Sequence, residues 1–100
     1  MKSRIDVVYG CYIEALIATK GQMSRSDLVM AFGDSLPTVT RHITEFRDRN
    51  SGVIEFDPSS KKYVPGAAFA ISNLNRRNIS PADYLVAVAA VFGEQKDEKA

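Results

Sequence analysis

The stretch that decides the fold is Ser35 to Asn50, SLPTVTRHITEFRDRN. At about 100° per residue it places its apolar residues on one stripe of a helix. These apolar residues are Leu36, Val39, Ile43 and Phe46. Ser35 is a favourable N-cap, and Pro37 is well tolerated in a first helical turn because its missing N–H costs least there. The stretch is therefore predicted to be an amphipathic helix with a well-defined start and one buried side.

The opposite face of this predicted helix is polar and carries no large hydrophobic residue. On the helical wheel it holds Pro37, Thr38, Arg41, Thr44, Glu45 and Asp48, with Thr40 and His42 on the two flanks. Short polar side chains and an arginine near the start of a helix can contact phosphates and base edges in a DNA major groove. We therefore expect this face to be free for a partner.

Length and composition limit the rest of the molecule. One hundred residues with 45% hydrophobic content allow one domain with a small core. The charges nearly cancel, with 13 Lys and Arg against 12 Asp and Glu, so a nucleic-acid-binding face has to come from local placement of charge. With one cysteine, Cys11, and one histidine, neither an internal disulfide nor a zinc site of the usual Cys/His type is expected. No cofactor is expected, and no signal peptide or membrane-spanning run is recognisable, which predicts a soluble protein.

Two further helices are predicted before Ser35. Apolar residues recur with helical spacing over residues 5 to 19. Ser24 and Asp27 then form a capping-box start for a short second helix, which Gly33 ends. A short turn that contains glycine joins this helix to the one that Ser35 opens, and such a pair is typical of a helix-turn-helix. In that motif the second helix enters the DNA major groove by its N-terminal end.

A β-hairpin is predicted after the central helix. Residues 53 to 56 alternate as a short strand, residues 57 to 60 have turn chemistry, and residues 61 to 64 form a return strand. A hairpin in this position is called a wing. Lys61 and Lys62 lie just past its tip, where they could meet the phosphates that flank the groove.

The C-terminal part is predicted to be a connector, a helix and a tail. Residues 67 to 79 are interpreted as a connector, and a capped helix follows from Ser80 to about Phe92. Because apolar residues surround nearly the whole circumference of this helix, we expect it to be buried on all sides by a partner chain. The predicted dimerisation residues are Tyr84, Leu85, Val88, Val91 and Phe92. Residues 94–100 are charged and predicted to be a disordered tail.

These elements predict a mainly α fold with a small β-hairpin, that is, a winged helix-turn-helix plus a C-terminal dimerisation helix. The winged helix-turn-helix DNA-binding domain is assigned to residues 1–79 and the dimerisation helix to residues 80–93.

Two sequence runs carry a resemblance to known families. GDSLPTVTRHI, residues 33–43, resembles the turn and recognition helix of many bacterial winged helix-turn-helix repressors. FDPSSKKYVPGAAF, residues 56–69, with the later SPADYL, is similar to the segment after the recognition helix in WYL-domain transcriptional regulators, including those found beside phage-defence operons. The resemblance spans roughly residues 5 to 92 and implies a dimeric repressor or antirepressor. The ligand-sensing WYL domain that usually follows is absent from this sequence, so effector sensing is not implied.

The candidate DNA contacts come from the second helix, the third helix and the wing. Arg41 is the main candidate for a base contact, because an arginine can bind guanine O6 and N7 through two hydrogen bonds. Its alternative is a solvated pair with Glu45 one turn later. His42 could donate to a phosphate or be an ordinary boundary histidine. The complete predicted set is Ser24, Arg25, Ser26, Ser35, Pro37, Thr38, Thr40, Arg41, His42, Lys61 and Lys62.

The function predicted from these features is sequence-specific binding of double-stranded DNA by a transcriptional regulator. We expect a repressor that binds a palindromic operator as a homodimer, in the cytoplasm and at the nucleoid, with no membrane or metal partner. The alternative is a winged-helix module for protein–protein interaction, because winged helices also serve as docking units. No nucleophile with a base, carboxylate pair, phosphate loop or metal cluster is recognisable in the sequence, so an enzyme is not expected.

Overall fold

The computed structural model describes residues 4–93, and the tail predicted for residues 94–100 lies outside them. The elements follow one another as α1 (Arg4–Lys20), α2 (Arg25–Phe32), α3 (Leu36–Arg49), β1 (Ile54–Asp57), β2 (Lys62–Pro65), α4 (Ser72–Arg76) and α5 (Pro81–Phe92). The predicted fold class, mainly α with a small hairpin and a C-terminal helix, is confirmed. Within the described range, no helix has the length and apolar character needed to cross a membrane.

Helix α1 lies at the centre of the molecule. From Tyr9 to Ile17 every residue is buried except the half-buried Tyr12. Helices α3, α4 and α5 all pack against it, and Phe32 of α2 stacks on Tyr9 with ring centroids 4.3 Å apart. Because so many consecutive residues are buried, α1 is enclosed on most of its circumference rather than along one stripe.

The helix-turn-helix forms at the predicted residues. The capping box at the start of α2 is confirmed, since the Ser24 hydroxyl accepts from the Asp27 amide and the Asp27 carboxylate accepts from the Ser24 amide at 2.8 Å. Gly33 ends α2 in the left-handed conformation, with φ of 74°, which a residue with a side chain adopts only at a cost. Ser35 caps α3 as predicted, by accepting from the Thr38 amide.

The apolar stripe of α3 is buried with one exception. Val39, Ile43 and Phe46 are buried, whereas Leu36 is 46% exposed. The predicted burial of Leu36 is therefore wrong. Leu36 is the first residue of α3, and helical side chains lean toward the N-terminus of their helix, so this side chain points beyond the end of the core.

The wing is a two-stranded antiparallel hairpin that is joined to the helix-turn-helix. β1 pairs with β2 from Ile54 opposite Pro65 to Asp57 opposite Lys62. Met23, just before α2, makes an isolated antiparallel bridge with Tyr63, with N···O distances of 2.8 and 2.7 Å. This bridge, which the sequence did not predict, ties β2 to the start of α2.

A short helix, α4, lies within the segment that was interpreted as a connector. Leu74 is fully buried, and its amide donates to Glu14 Oε1 at 3.1 Å. The other Glu14 oxygen, Oε2, accepts from the backbone amide of Asn73 at 3.2 Å and from its side-chain amide at 2.7 Å. The N-terminus of α4 is therefore capped by a buried carboxylate on α1. Because this cap is distant in sequence, the residues around α4 did not predict the helix.

Helix α5 is buried on one side only. Val88 is buried and Tyr84 is half-buried, with the Tyr84 hydroxyl donating to the Val8 carbonyl at 2.9 Å. Val86 and Val91 are 69% and 72% exposed. Within the described residues only the side that faces α1 and α2 finds neighbours, so the cover of the other side by a partner chain stays a prediction.

Replacing Glu14 by alanine should destabilise the fold. The change leaves two buried backbone amides and the Asn73 side chain without their acceptor, and bonds to a charged group are each worth about 1.5–3 kcal/mol. We expect the free energy of unfolding in urea to fall by about 3 kcal/mol. The matched control is Glu55→Ala, at an exposed strand position, which should change stability by less than about 0.5 kcal/mol. Equal stability of the two variants would contradict the role given to Glu14.

Candidate nucleic-acid interface

The polar face of α3 is accessible along its length. Pro37, Arg41, Thr44 and Asp48 are exposed, and Thr38, Thr40 and Glu45 are half-buried. The Arg41 side chain is 59% exposed. The face is thus available to a partner molecule.

The N-terminal ends of α2 and α3 lie side by side. The Arg25 guanidinium donates to the Thr40 hydroxyl at 3.5 Å. At the cap of α3 the Ser35 hydroxyl donates to the Thr38 hydroxyl at 3.0 Å, and at the cap of α2 the Ser24 and Ser26 hydroxyls are 2.9 Å apart. The two helix starts form one polar surface, which we call the front surface. Its members are Ser24, Arg25, Ser26, Ser35, Pro37, Thr38, Thr40 and Arg41.

Arg41 is held loosely. Its Nη1 atom lies 3.7 Å from Glu45 Oε2, and both side chains are more than a third exposed. An ion pair of this kind contributes only about 0–1 kcal/mol, because water screens it. Arg41 therefore forms the ion pair with Glu45 that is the alternative to a base contact. Because this pair is weak, Arg41 can leave Glu45 and bind a stronger partner, such as a guanine edge or a phosphate.

The tip of the wing is ordered by Asp57. Its carboxylate accepts from the hydroxyls of Ser59 and Ser60 at 2.9 and 3.0 Å. These bonds hold the pKa of Asp57 below its ordinary value. Lys61 follows with φ of 61° and is exposed, and Lys62 is half-buried opposite Asp57 in the hairpin. The two lysines are thus presented from a turn of defined shape.

His42 does not belong to the front surface. Its ring is buried, stacks on Tyr9 with centroids 4.0 Å apart, and places Nδ1 3.0 Å from Asp6 Oδ1. The prediction of an accessible flank histidine that could reach a phosphate is wrong. Tyr9 and Asp6 of α1 enclose it, and the helical wheel of α3 alone contains no information about α1.

Most of this chain matches a known protein family. The sequence profile of the BrxR transcriptional regulator winged helix-turn-helix domain matches residues 10–88. The chain belongs to this family. The match runs from α1 into α5 and includes α2, α3 and the wing, and it confirms the resemblance to the winged helix-turn-helix of transcriptional regulators. Among curated proteins, none matches the chain.

In this BrxR-family winged helix, Tyr9 supports the turn between α2 and α3. Its ring lies between Phe32 and His42, and its hydroxyl donates to the Asp34 carboxylate. Burial and the Asp34 carboxylate raise the pKa of Tyr9, so the hydroxyl keeps its proton. The helical spacing of apolar residues over residues 5 to 19 did not predict this bond, because its partner is 25 residues away.

The predicted dimerisation residues are divided between two surroundings. Tyr84, Leu85 and Val88 pack within the chain. Phe92 is 38% exposed and packs edge-on against Phe32 with ring centroids 5.2 Å apart, whereas Val91 is 72% exposed. Leu85 and Val88 also line a groove between α5 and α2, on whose rim Met30 is 78% exposed. The BrxR-family chain therefore presents an apolar surface on α2 and α5, separate from the front surface.

Replacing Tyr9 by phenylalanine should loosen the helix-turn-helix without opening a cavity. The change removes one side-chain hydrogen bond to a carboxylate, so we expect the free energy of unfolding to fall by about 1–2 kcal/mol. Tyr12→Phe is the matched control. Tyr12 also packs on Phe32, with centroids 5.2 Å apart, and should lose less than about 0.5 kcal/mol. Equal losses in urea unfolding would show that the bond to Asp34 contributes nothing specific.

Proposed function

We propose that this chain is a sequence-specific double-stranded DNA-binding repressor that binds a palindromic operator as a homodimer. The observation that carries the proposal is the front surface, where the exposed start of α3 and the start of α2 combine hydroxyls with two arginines, Arg25 and Arg41. Such a repressor would act at the nucleoid in the cytoplasm. The family, a group of transcriptional-regulator domains rather than of enzymes, supports DNA binding as the activity.

The chemistry of α3 favours an approach by its N-terminal end. Arg41 suits a guanine edge, and Thr38 and Thr40 suit phosphates or a thymine methyl group. Glu45 and Asp48, further along the same face, carry charges that repel phosphates. The helix would therefore enter the major groove with its front and keep its back half away from the phosphate backbone.

The wing and α2 supply contacts that position the domain. Lys61 and Lys62 are suited to phosphates beside the groove, and Arg25 with the capping hydroxyls of α2 is suited to a phosphate on the other side. A net charge of +1 gives one copy little attraction for DNA. Two copies double the number of contacts, and a two-fold symmetric pair requires an operator with matching symmetry.

Homodimerisation is proposed to use the apolar surface of α2 and α5. Val86, Val91 and Met30 are the exposed large residues there, and exposed apolar patches mark association sites. The same residues also support the second candidate function, a protein-interaction module without specific DNA binding. The two candidates differ in one respect, because only the repressor prefers one duplex sequence over others.

Replacing Arg41 by alanine tests base readout. Duplexes selected by the chain from a random pool supply the specific site, and fluorescence anisotropy at fixed salt measures its affinity and stoichiometry. We expect two chains per selected duplex and a loss of about 1–3 kcal/mol on that site for Arg41→Ala, with little change on random DNA. The control Arg76→Ala, an exposed arginine on α4, should leave both affinities unchanged. Equal losses on both DNAs for Arg41→Ala, or no selected sequence at all, would contradict the proposal.

Replacing Lys61 and Lys62 together by alanine tests the wing. These lysines are proposed to contact phosphates, so the double variant should weaken binding to selected and random duplexes alike. The slope of log K against log salt should decrease in magnitude by up to about 1.8, because each phosphate contact contributes about 0.9. An unchanged salt slope would show that Lys61 and Lys62 do not contact phosphates, and would contradict a role for the wing in DNA binding.

A further inference from the structure

A small polar void lies between α1 and α3, behind the front surface. It has a volume of ≈ 10 Å³, and Asp6, His42, Glu45 and Arg49 are among its lining residues. A space of this size accommodates about one water molecule, and therefore also a single metal ion. It is the point where the first turns of α1 meet the middle of α3.

Three possible metal ligands converge on this void. His42 Nδ1 lies 3.0 Å from Asp6 Oδ1 and 3.9 Å from Glu45 Oε1, and the three atoms all lie within 4.8 Å of one another. Donor atoms around a tetrahedral zinc ion at its usual bond lengths are about 3.3–3.6 Å apart. Two of the separations differ from that spacing by a few tenths of an ångström. The third, between the Asp6 and Glu45 oxygens, lies within 4.8 Å and would have to shorten by up to about 1.5 Å as the ligands close around the ion.

One of these groups, the Glu45 carboxylate, turns an oxygen that has no hydrogen-bond donor in the described part of the chain toward its neighbours. Glu45 Oε1 is buried and has no hydrogen-bond partner among the described residues, although the side chain as a whole is 38% exposed. A buried carboxylate oxygen without a donor is costly. His42, whose side chain is 4% exposed, donates from Nδ1 to Asp6 Oδ1 in the structure, and a bound ion would replace this proton and take up the Nδ1 lone pair.

We propose that Asp6, His42 and Glu45 form a binding site for one divalent transition-metal ion, of which Zn²⁺ is the best match, between α1 and α3. The imidazole ligand favours zinc and its neighbours in the series over Mg²⁺ and Ca²⁺, which prefer oxygen ligands alone. Two carboxylates balance the charge of the ion. Three protein ligands leave a fourth position for water.

The surrounding arginines fit this arrangement. Arg49 Nη1 lies 3.5 Å from Asp6 Oδ2, and Arg41 Nη1 lies 3.7 Å from Glu45 Oε2. Each carboxylate therefore faces an arginine with one oxygen and the void with the other. Second-sphere partners of this kind orient the ligands of metal sites.

Isothermal titration of the tag-free, chelator-treated chain with ZnCl₂ tests the site. We expect one saturable site that excess MgCl₂ does not block, and a melting temperature that rises with zinc concentration. Glu45→Gln keeps the size of a partly exposed side chain but removes a charged ligand, and should weaken binding at least about tenfold. The matched control is Asp48→Asn, an exposed carboxylate on the same helix, which should bind zinc as the unaltered chain does.

A second measurement does not depend on any variant. The chain contains a single histidine, so the ring resonances of His42 are identified directly in nuclear magnetic resonance spectra, and zinc should shift the Nδ1 signal in proportion to occupancy. Absence of saturable binding, binding that Glu45→Gln leaves unchanged, or saturation without a shift of the His42 ring would each overturn the proposal. The result does not depend on whether the chain binds DNA.

Discussion

The enclosure of α1 is the constraint on which the rest of the structure depends. In the part of the chain that the structure describes, residues 4–93, α1 is the element that packs extensively against α3, α4 and α5 together. Polar groups on α1 then set the positions of its neighbours: the Tyr9 hydroxyl holds the turn before α3, Asp6 holds His42 within α3, and the Glu14 carboxylate caps α4. Because a buried polar group without a partner is costly, each of these contacts selects one placement of the packed element.

The front surface is a consequence of this packing. The buried side of α3, which includes Val39, Ile43 and Phe46, faces the core, and the opposite side, which includes Thr38 and Arg41, is turned outward. The Arg25 guanidinium lies 3.5 Å from the Thr40 hydroxyl, so the start of α2 is next to that of α3. The residues proposed to contact DNA therefore lie on helices whose orientation is determined by their packing against α1. Loss of a core contact should weaken DNA binding indirectly, by changing that orientation.

Local features could be predicted from the sequence, whereas long-range partners could not. Each local feature depends on a few adjacent residues. The helix caps at Ser24 and Ser35 and the turn at Gly33 are all confirmed. The sequence predicted α1 only as a helix with apolar residues at helical spacing and could not show that it lies at the centre of the fold. The bond between Asp6 and His42 joins residues 36 positions apart, and the cap that Glu14 gives to α4 joins residues 59 positions apart. The number of cysteines and histidines in the sequence carries no information about an aspartate that lies next to His42 only in the folded chain.

The account depends most on the orientation of α3, and a chemical-shift titration of the ¹⁵N-labelled chain with its selected duplex tests that most directly. The account predicts that the largest amide shifts fall in residues 35 to 41 and at Arg25, with a second group at Lys61 and Lys62. Residues 72 to 76 of α4 should remain unshifted. Shifts concentrated in α4 or in the groove between α2 and α5, with residues 35 to 41 unaffected, would contradict it.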